Sequence, residues 1–392
     1  MPPEPDPADP NERFQARRAV RRRTIRRRRT AALVVLLLVA ALIALGVSAV
    51  AGRGSHRAAA EPSRPSPSKP KPRVPRALPD EVRGVHVTMS LASLEGKLDE
   101  YLAIPGLNTI ELDVKDENGR VGFRMPAGSL ARRIGAARPY YKARLVAERA
   151  HAAGVYLIGR VVAFEDPILS AARPDLAIQL SDGSPWHNYA GLGWANPYDR
   201  RVWDYEVAIG EAAARAGFDE IQFDYVRFPS DGPIESAVFP RKRAEAMGWT
   251  IARFVHYASR KLKPLGVRVS VDVFGLSATR DLGIGQVPGR LARYVDAVYP
   301  MVYPSHFSSG EYNLPDPSAT PGRTVALSLQ DFHNALLGRR ARLIPWLEDF
   351  SLTSAHRPPE EVRAQIDAAR RLGTKGFLLW NPEGVYTEQV LK

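Results

Sequence analysis

The sequence predicts an α/β protein whose folded part is a (β/α)8 barrel of the TIM type, on three observations. From about residue 83, short segments rich in β-branched residues alternate apolar and polar side chains, as strands do. Amphipathic stretches separate these segments, and several end in Gly, the residue expected just past a helix C-terminus. Eight such units over residues 83–392 are typical of a closed barrel. An open doubly wound sheet is the alternative, and its dinucleotide-binding version lacks a G-x-G-x-x-G after the first strand.

The individual elements follow from the same two patterns. The predicted strands occupy residues 83–88, 107–115, 155–164, 218–226, 267–274, 296–303, 341–349 and 376–381. The clearest helical stretches are residues 141–153, 201–216, 241–262 and 359–372. Residues 83–392 are therefore assigned to a single barrel domain.

The region before the barrel has three parts of different composition. Residues 1–30 are predicted to be a basic cytoplasmic tail, with a dense Arg run over residues 13–29. Residues 31–51 are an uncharged stretch of 21 residues, long enough at about 1.5 Å per residue to cross a hydrocarbon core of roughly 30 Å. Residues 52–82 are rich in Pro and predict a disordered, extended linker.

This order predicts a single-pass protein of the cell membrane. Basic residues stay on the cytoplasmic side, so the N-terminus is expected inside and the barrel outside. The alternative is a signal peptide that is cleaved before secretion, since Ala49–Ala51 reads AVA and resembles a cleavage site.

Charge and cysteine content exclude several functions. Residues 1–82 carry 17 Lys and Arg against 7 Asp and Glu, so most of the formal net charge of +13 lies before the barrel. A nucleic-acid-binding domain would carry its basic residues on the folded part, so no nucleic-acid partner is predicted. The absence of Cys excludes disulfides, thiolate metal sites and a Cys nucleophile.

Two aspartates end neighbouring predicted strands. The apolar face of a barrel strand packs on the helices, so the polar face points into the barrel. Asp224 and Asp272 occupy the last inward positions of the fourth and fifth strands, at the barrel end where active sites of this fold lie. Adjacent strands are about 4.8 Å apart, so the two carboxylates are expected to act as a pair. Glycoside hydrolysis uses such a pair, one as acid and one as nucleophile or base.

The surroundings of the two aspartates predict different roles. Arg227 follows closely and is expected to keep Asp224 ionised, as a nucleophile or base must be. Asp272 lies in an apolar strand, where burial is expected to raise its pKa, as suits the acid. Glu348 is the alternative acid.

A structural interpretation of the same residues remains open. Asp224 could pair with Arg227 or Arg160, and Asp272 with Arg268, as ion pairs inside the barrel.

Ten further residues are candidates for substrate binding. They are His86, Asp113, Lys115, Arg160, Tyr225, Arg227, Tyr303, Trp346, Glu348 and Trp380. Aromatic side chains at strand ends can stack on the C–H face of a sugar ring, and charged ones can bind its hydroxyl groups. No metal ion or other cofactor is predicted, because His86 stands alone where a metal-dependent barrel hydrolase carries H-x-H. A Ser hydrolase would carry G-x-S-x-G, which is not found.

Several segments carry a resemblance to a known family. FDEIQFDYVRFP, together with RGVHVT, ELDVKDENG, VSVDVFG, YPMVYPSH, PWLEDF and GFLLWNP, resembles the DUF4015 family of bacterial glycosyl hydrolase barrels over most of residues 83–392. The resemblance implies a relationship to retaining glycosidases with catalytic carboxylates after strands four and five or six. Position by position, it implies Asp224 in D-Y-V-R-F-P and Asp272 in V-D-V-F-G.

The sequence thus predicts a membrane-anchored extracytoplasmic glycoside hydrolase that acts on a cell-surface or extracellular polysaccharide. A non-catalytic domain that binds carbohydrate or cell wall on the same barrel is the alternative. Retaining and inverting mechanisms, and endo and exo action, are all compatible with these residues.

Overall fold

A computed structural model of the chain describes residues 74–352 and 357–392. The predicted cytoplasmic tail, the predicted anchor and most of the predicted linker lie outside these residues. Within the two described ranges, no helix is both long enough and apolar enough to cross a membrane.

Nine parallel strands and ten α-helices are assigned within the described ranges. The strands are β1 Val82–Val87, β2 Thr109–Lys115, β3 Tyr156–Val162, β4 Glu220–Asp224, β5 Arg268–Phe274, β6 Ala297–Val302, β7 Arg342–Leu343, β8 Trp346–Glu348 and β9 Gly376–Trp380. The helices are α1 Met89–Ala92, α2 Lys97–Leu102, α3 Leu130–Arg133, α4 Ala143–Ala152, α5 Pro167–Ala172, α6 Arg200–Ala216, α7 Met247–Leu262, α8 Pro288–Leu291, α9 Pro321–Ala335 and α10 Pro359–Arg371.

The strands close into a barrel. Each of β1 to β6 pairs in parallel with the next strand, and β9 pairs with β1. The strands β7 and β8 both pair with β6 and are two pieces of one barrel strand, interrupted at Ile344 and Pro345. Eight barrel strands therefore form the closed parallel sheet that the sequence predicts, and the barrel prediction is confirmed.

The predicted boundaries differ from the observed ones mainly at one helix. Every predicted strand overlaps an observed strand, because period-2 alternation marks each of them. The predicted helix over residues 241–262 begins only at Met247, since residues 241–246 form turns in which Arg241 has a φ of 62°. Gly217 ends α6 with a φ of 116°, in the left-handed region that favours glycine.

Two apolar clusters hold the barrel together. The larger one fills the layer between the sheet and the helices. The smaller one fills the inside of the barrel and includes Tyr156, Ile158 and Tyr299. Leu78 belongs to the inner cluster although it precedes the predicted barrel, so the packed structure includes part of the Pro-rich region. The inner cluster closes the interior and leaves the polar strand ends at one mouth.

Candidate active site

The register of β4 and β5 brings Asp224 and Asp272 to the same level of the barrel. Phe223 pairs with Val271, and each aspartate is the next residue along its strand. Both side chains are buried. The predicted pair thus lies at the C-terminal ends of adjacent strands, where this fold places its active sites.

Arg160 on β3 is the cation that holds Asp224. Its Nε and Nη2 donate hydrogen bonds of 2.9 and 2.6 Å to Oδ2 of Asp224, and its Nη1 donates one of 2.7 Å to Oδ1 of Asp113. One guanidinium therefore bridges two carboxylates on the neighbouring strands. Such a fork fixes both the charge and the orientation of each carboxylate.

The residue after Asp224 adopts a conformation that is uncommon for a tyrosine. Tyr225 has a φ of 49°, in the left-handed region. Its backbone N–H donates a hydrogen bond of 2.7 Å to Oδ1 of Asp224. Both oxygens of Asp224 are therefore held, one by Arg160 and one by this turn.

Asp272 lies in a different environment from Asp224. Its Oδ1 accepts hydrogen bonds of 2.7 Å from Nε1 of Trp346 and 2.5 Å from Nε2 of Gln222. Burial raises the pKa of Asp272 well above its usual range, and the negative charges of Asp224 and Glu111 raise it further. Such a carboxyl group is protonated under conditions in which an ordinary Asp is ionised.

Glu111 on β2 is a site residue that the sequence-based selection left out. Its carboxylate contacts Nδ1 of His86 and lies 3.9 Å from Nε of Arg160. Burial raises the pKa of Glu111. The sequence could have indicated Glu111, because it precedes Asp113 by two residues and therefore shares the inward face of β2 with it.

Aromatic rings form one side of this carboxylate cluster. The ring of His86 lies 4.4 Å from that of Trp380, which in turn is perpendicular to the ring of Trp346 at 6.0 Å. The guanidinium of Arg160 lies 5.8 Å from the Trp380 ring. Tyr303 is buried, and burial together with the charges of Asp272, Asp224 and Glu111 raises its pKa well above the usual range. These aromatic residues are therefore gathered at the mouth with the carboxylates.

A pocket of about 160 Å³ opens beside this cluster. Its walls include Asp113, Asp116, Glu117, Arg160 and Trp380. Burial, with the charges of Glu117 and Asp113, raises the pKa of Asp116 to about 6. The pocket offers carboxylate acceptors and one aromatic face, a combination that suits a polar ring such as a sugar.

Arg227 does not pair with Asp224, contrary to the sequence-based interpretation. Its Nη1 donates hydrogen bonds to the Phe228 carbonyl and the Ser230 hydroxyl, each 3.1 Å long. Its guanidinium lies about 5 Å from the rings of Trp194 and Tyr225. The left-handed turn at Tyr225 reverses the side-chain alternation, and this turn separates Arg227 from the carboxylate. Arg160 takes the predicted role instead.

Lys115 lies on the outer wall of the barrel, not at the mouth. A register shift in β2 lets Asp113 pair with Arg160 and Lys115 with Val161, so the two residues face opposite sides. The Lys115 ammonium is fully buried at 2.7 Å from Asp166 and 2.6 Å from Glu206, on α6. Lys115 is not among the residues that line the pocket at the mouth, and its role in substrate binding stays a prediction.

Glu348 is fully buried in a structural ion pair. Its Oε1 accepts hydrogen bonds of 2.9 and 3.2 Å from the guanidinium of Arg357, and its Oε2 accepts one of 2.8 Å from the backbone N–H of Ser305. These contacts occupy both oxygens of the carboxylate. Burial raises the pKa of Glu348 as it does that of Asp272, so the choice between these two carboxyl groups as the acid stays a prediction.

Residues of the described ranges form no group of three or more His, Asp or Glu side chains with the arrangement of a metal site.

The barrel and the carboxylates at its mouth define the class of protein: a glycosyl-hydrolase-type (β/α)8 domain. The family model described as "Putative glycosyl hydrolase domain", DUF4015, matches residues 84–386. The chain therefore belongs to the DUF4015 family, as the motifs D-Y-V-R-F-P and V-D-V-F-G predict.

Solved structures with TM-scores of 0.50 or more share the fold. The glycoside hydrolase domain of PgaB (BpsB) from Bordetella bronchiseptica is 13% identical with a TM-score of 0.54, over 80% of this chain and 99% of that chain. The catalytic domain of β-amylase from Paenibacillus polymyxa is 12% identical with a TM-score of 0.50, over 80% and 95%. A hypothetical protein from Ruminiclostridium thermocellum is 33% identical with a TM-score of 0.44, over 48% and 97%. Comparison with curated proteins gave no match.

Proposed function

We propose that this protein is a membrane-anchored, extracytoplasmic glycoside hydrolase that cleaves a cell-surface or extracellular polysaccharide with Asp224 and Asp272. Asp224 is the ionised nucleophile or base, and Asp272 is the acid.

The difference between the two carboxylates is the observation that carries this proposal. Arg160 donates two hydrogen bonds to one oxygen of Asp224, which stabilises its charged form. No cationic side chain of the described residues donates a hydrogen bond to Asp272, and burial and neighbouring negative charges raise its pKa. Two carboxyl groups that differ in this way can act as base and acid at the same pH.

The reaction follows from these protonation states. Asp272 donates its proton to the glycosidic oxygen as the bond from that oxygen to the anomeric carbon breaks. In a retaining course, Asp224 bonds to the anomeric carbon, and water then displaces it while Asp272 takes the water proton. In an inverting course, Asp224 takes a proton from the water that attacks directly. The sugar would stack on Trp380 beside Asp113 and Asp116.

Aryl glycosides with a good leaving group test the two roles. Asp224→Asn should lose turnover of both natural and activated substrates. Asp272→Asn should lose the natural substrate but retain the first step with the activated one, because that leaving group needs little protonation. Asp99→Asn, which changes an exposed carboxylate on α2, is the matched control and should behave like the parent.

Parent-like turnover of both substrates by Asp224→Asn would identify Asp224 as a structural partner of Arg160 and refute the mechanism. The NMR signal of the first-formed anomer distinguishes retention from inversion in the parent protein.

The proposed location has its own test. The basic run before residue 31 and the apolar stretch over residues 31–51 support a retained anchor with the barrel outside. Protease added to intact cells should release a fragment that begins in the Pro-rich linker. A barrel that stays protected until the membrane is lysed would contradict this orientation.

A non-catalytic sugar-binding domain is the second candidate, and the burial of Asp272 favours it. Asp272 is only 2% exposed and is hydrogen-bonded to Trp346 and Gln222. Such a domain would bind oligosaccharides without hydrolysing them, and Asp272→Asn would leave that affinity nearly unchanged.

A further inference from the structure

A second concave site lies on the outer wall of the barrel, between α6 and α7. It is a groove of about 570 Å³, which we term the cationic groove. None of its lining residues is acidic. Six of them are basic: Arg200, Arg243, Arg253, His256, Arg260 and Lys261. The pocket at the barrel mouth is lined by three carboxylates and two arginines, so its formal charge is negative, whereas that of the groove is positive.

Few carboxylates neutralise this groove. Arg253 forms an ion pair of 2.8 Å with Glu245, and Arg200 lies 3.8 Å from Asp204. The groove has three other Arg and Lys side chains, Arg243, Arg260 and Lys261. Within the described ranges, none of them forms an ion pair with a carboxylate. All three are exposed. Unpaired like charges in one concavity repel one another, and an anionic ligand would relieve that repulsion.

The aromatic residues of the groove already have partners. The guanidinium of Arg200 lies 3.2 Å from the centroid of the Tyr257 ring. Trp203 is only 7% exposed, and its Nε1 donates a hydrogen bond to the Pro197 carbonyl. The ring of His256 stacks on that of Tyr294 at 4.6 Å. The stacked Arg200 is pre-oriented to present its N–H edge to an acceptor.

These contacts discriminate among possible polyanions. Single-stranded nucleic acids bind by stacking bases on open aromatic faces, and the rings here are covered. Double-stranded DNA needs a broad basic surface along its phosphate backbone, whereas the basic residues here line one concavity. A bilayer surface is flat and would contact only the rim of a concave site. A linear chain with anionic groups fits both the concave shape and the positive charge of this groove.

We propose that the cationic groove binds a linear anionic polysaccharide, as a non-catalytic site that holds the barrel on its polymer. The choice of a polysaccharide among linear polyanions rests on the proposed function. The arginines would bind carboxylate or phosphodiester groups through paired N–H donors. The groove and the mouth pocket share no lining residue, so the anionic groups held in the groove and the cleaved glycosidic bond contact different parts of the barrel.

Binding to polygalacturonate, a polysaccharide with carboxylate groups, and to a linear poly(glycosyl phosphate), a polysaccharide with phosphodiester groups, tests this site with the full-length protein. The groove variant is Arg243→Glu/Arg260→Glu/Lys261→Glu. The matched control, Arg132→Glu/Lys142→Glu/Arg371→Glu, changes the net charge equally at exposed positions elsewhere. At about 0.1 M salt, the groove variant should bind at least one polymer roughly tenfold or more weakly, and the control less than about twofold.

Several results would overturn the proposal. They are no binding by the parent to either polymer, equal losses in the two variants, or tighter binding to anionic vesicles or DNA than to both polymers. Circular dichroism and the thermal midpoint show that both variants are folded. Polymer binding by Asp224→Asn separates this site from the catalytic one. Unchanged polymer binding in this variant supports the groove as a separate site, whether or not the proposed roles of Asp224 and Asp272 are correct.

Discussion

Two buried ionic networks lie on opposite faces of β2, and only one of them has the features of an active site. The mouth network joins Asp113 to Arg160 and Asp224 inside the barrel. The wall network encloses Lys115 between Asp166 and Glu206 outside it. The register shift between Asp113 and Lys115 sends two side chains, two residues apart, to these different networks.

The two networks differ in their balance of positive and negative charge and in whether a pocket opens beside them. In the wall network one ammonium meets two carboxylates, and burial raises the pKa of Glu206 to about 8, so a shared proton can balance the group. In the mouth network Arg160 faces several carboxylates, and a pocket opens beside them. Buried charge alone therefore does not identify an active site. An excess of buried charge of one sign next to a cavity is a more specific indication of an active site.

The largest expected effect is on stability, in the wall network. Lys115→Met leaves two carboxylates buried without their cation, and should lower the free energy of unfolding by about 3–5 kcal/mol. Turnover of the folded fraction should change by less than about threefold, because the wall residues contact no substrate. Chemical denaturation and steady-state kinetics measure the two effects.

The double variant Lys115→Met/Glu206→Gln is the control, and it should recover part of the lost stability by removing one buried charge. If Lys115→Met remained as stable as the parent but lost turnover, the assignment of the two networks would be reversed.

Arg160 in the mouth network should show the opposite pattern. Arg160→Lys keeps the positive charge but cannot bridge Asp113 and Asp224 with a planar fork. The value of kcat/KM should fall about 100-fold, since misplacing a catalytic carboxylate by about 1 Å costs on that order. The free energy of unfolding should change less than in Lys115→Met. A loss of stability without a loss of kcat/KM would make this network purely structural.

The pH dependence of stability provides a smaller effect at the mouth. The pKa of Asp116 in the folded protein is raised to about 6, so between the ordinary Asp value and pH 6 the folded state binds more protons than the unfolded state. The stability of the parent should therefore fall as the pH rises from about 4 to 6 and level off above that. Asp116→Asn should lack this contribution. Equal slopes in parent and variant, measured by denaturation at each pH, would contradict the raised pKa.

A matched pair of tyrosines gives the smallest effect. Tyr303 lies near the mouth carboxylates, and the ring of Tyr205 lies 5.2 Å from the Lys115 ammonium in the wall network. Tyr303→Phe should lower kcat/KM by roughly tenfold by removing a hydroxyl near the reacting groups. Tyr205→Phe should leave kcat/KM unchanged and alter stability by at most about 1 kcal/mol. Equal kinetic effects of the two substitutions would show that Tyr303 has no special place at the site.

The sequence was sufficient for the fold and for the level of the two aspartates in the barrel. Both depend on period 2, which is a local property of each strand. The hydrogen-bond partners of those aspartates could not be predicted from the sequence in the same way. Arg160 and Asp224 are 64 residues apart and meet because Val162 pairs with Asp224, a register that alternation within one strand does not determine.

Three local irregularities account for the remaining differences. The register shift in β2 sent Lys115 outward, and the left-handed turn at Tyr225 took Arg227 away from Asp224. The ion pair of Glu348 joins the end of β8 to Arg357, which lies outside any helix or strand and before α10. A bulge, a positive φ and a loop contact each break the regular pattern from which side-chain direction is inferred.

The turn at Tyr225 has a consequence for selection. A side chain in the left-handed region costs the fold about 1–2 kcal/mol relative to an ordinary conformation, and here the strained peptide holds one oxygen of Asp224. Glycine would adopt this φ without that cost. A library screened only for heat resistance should therefore enrich glycine at this position, and the survivors should hold Asp224 less firmly. At this residue, selection for heat resistance and selection for a firmly held Asp224 are therefore expected to favour different amino acids.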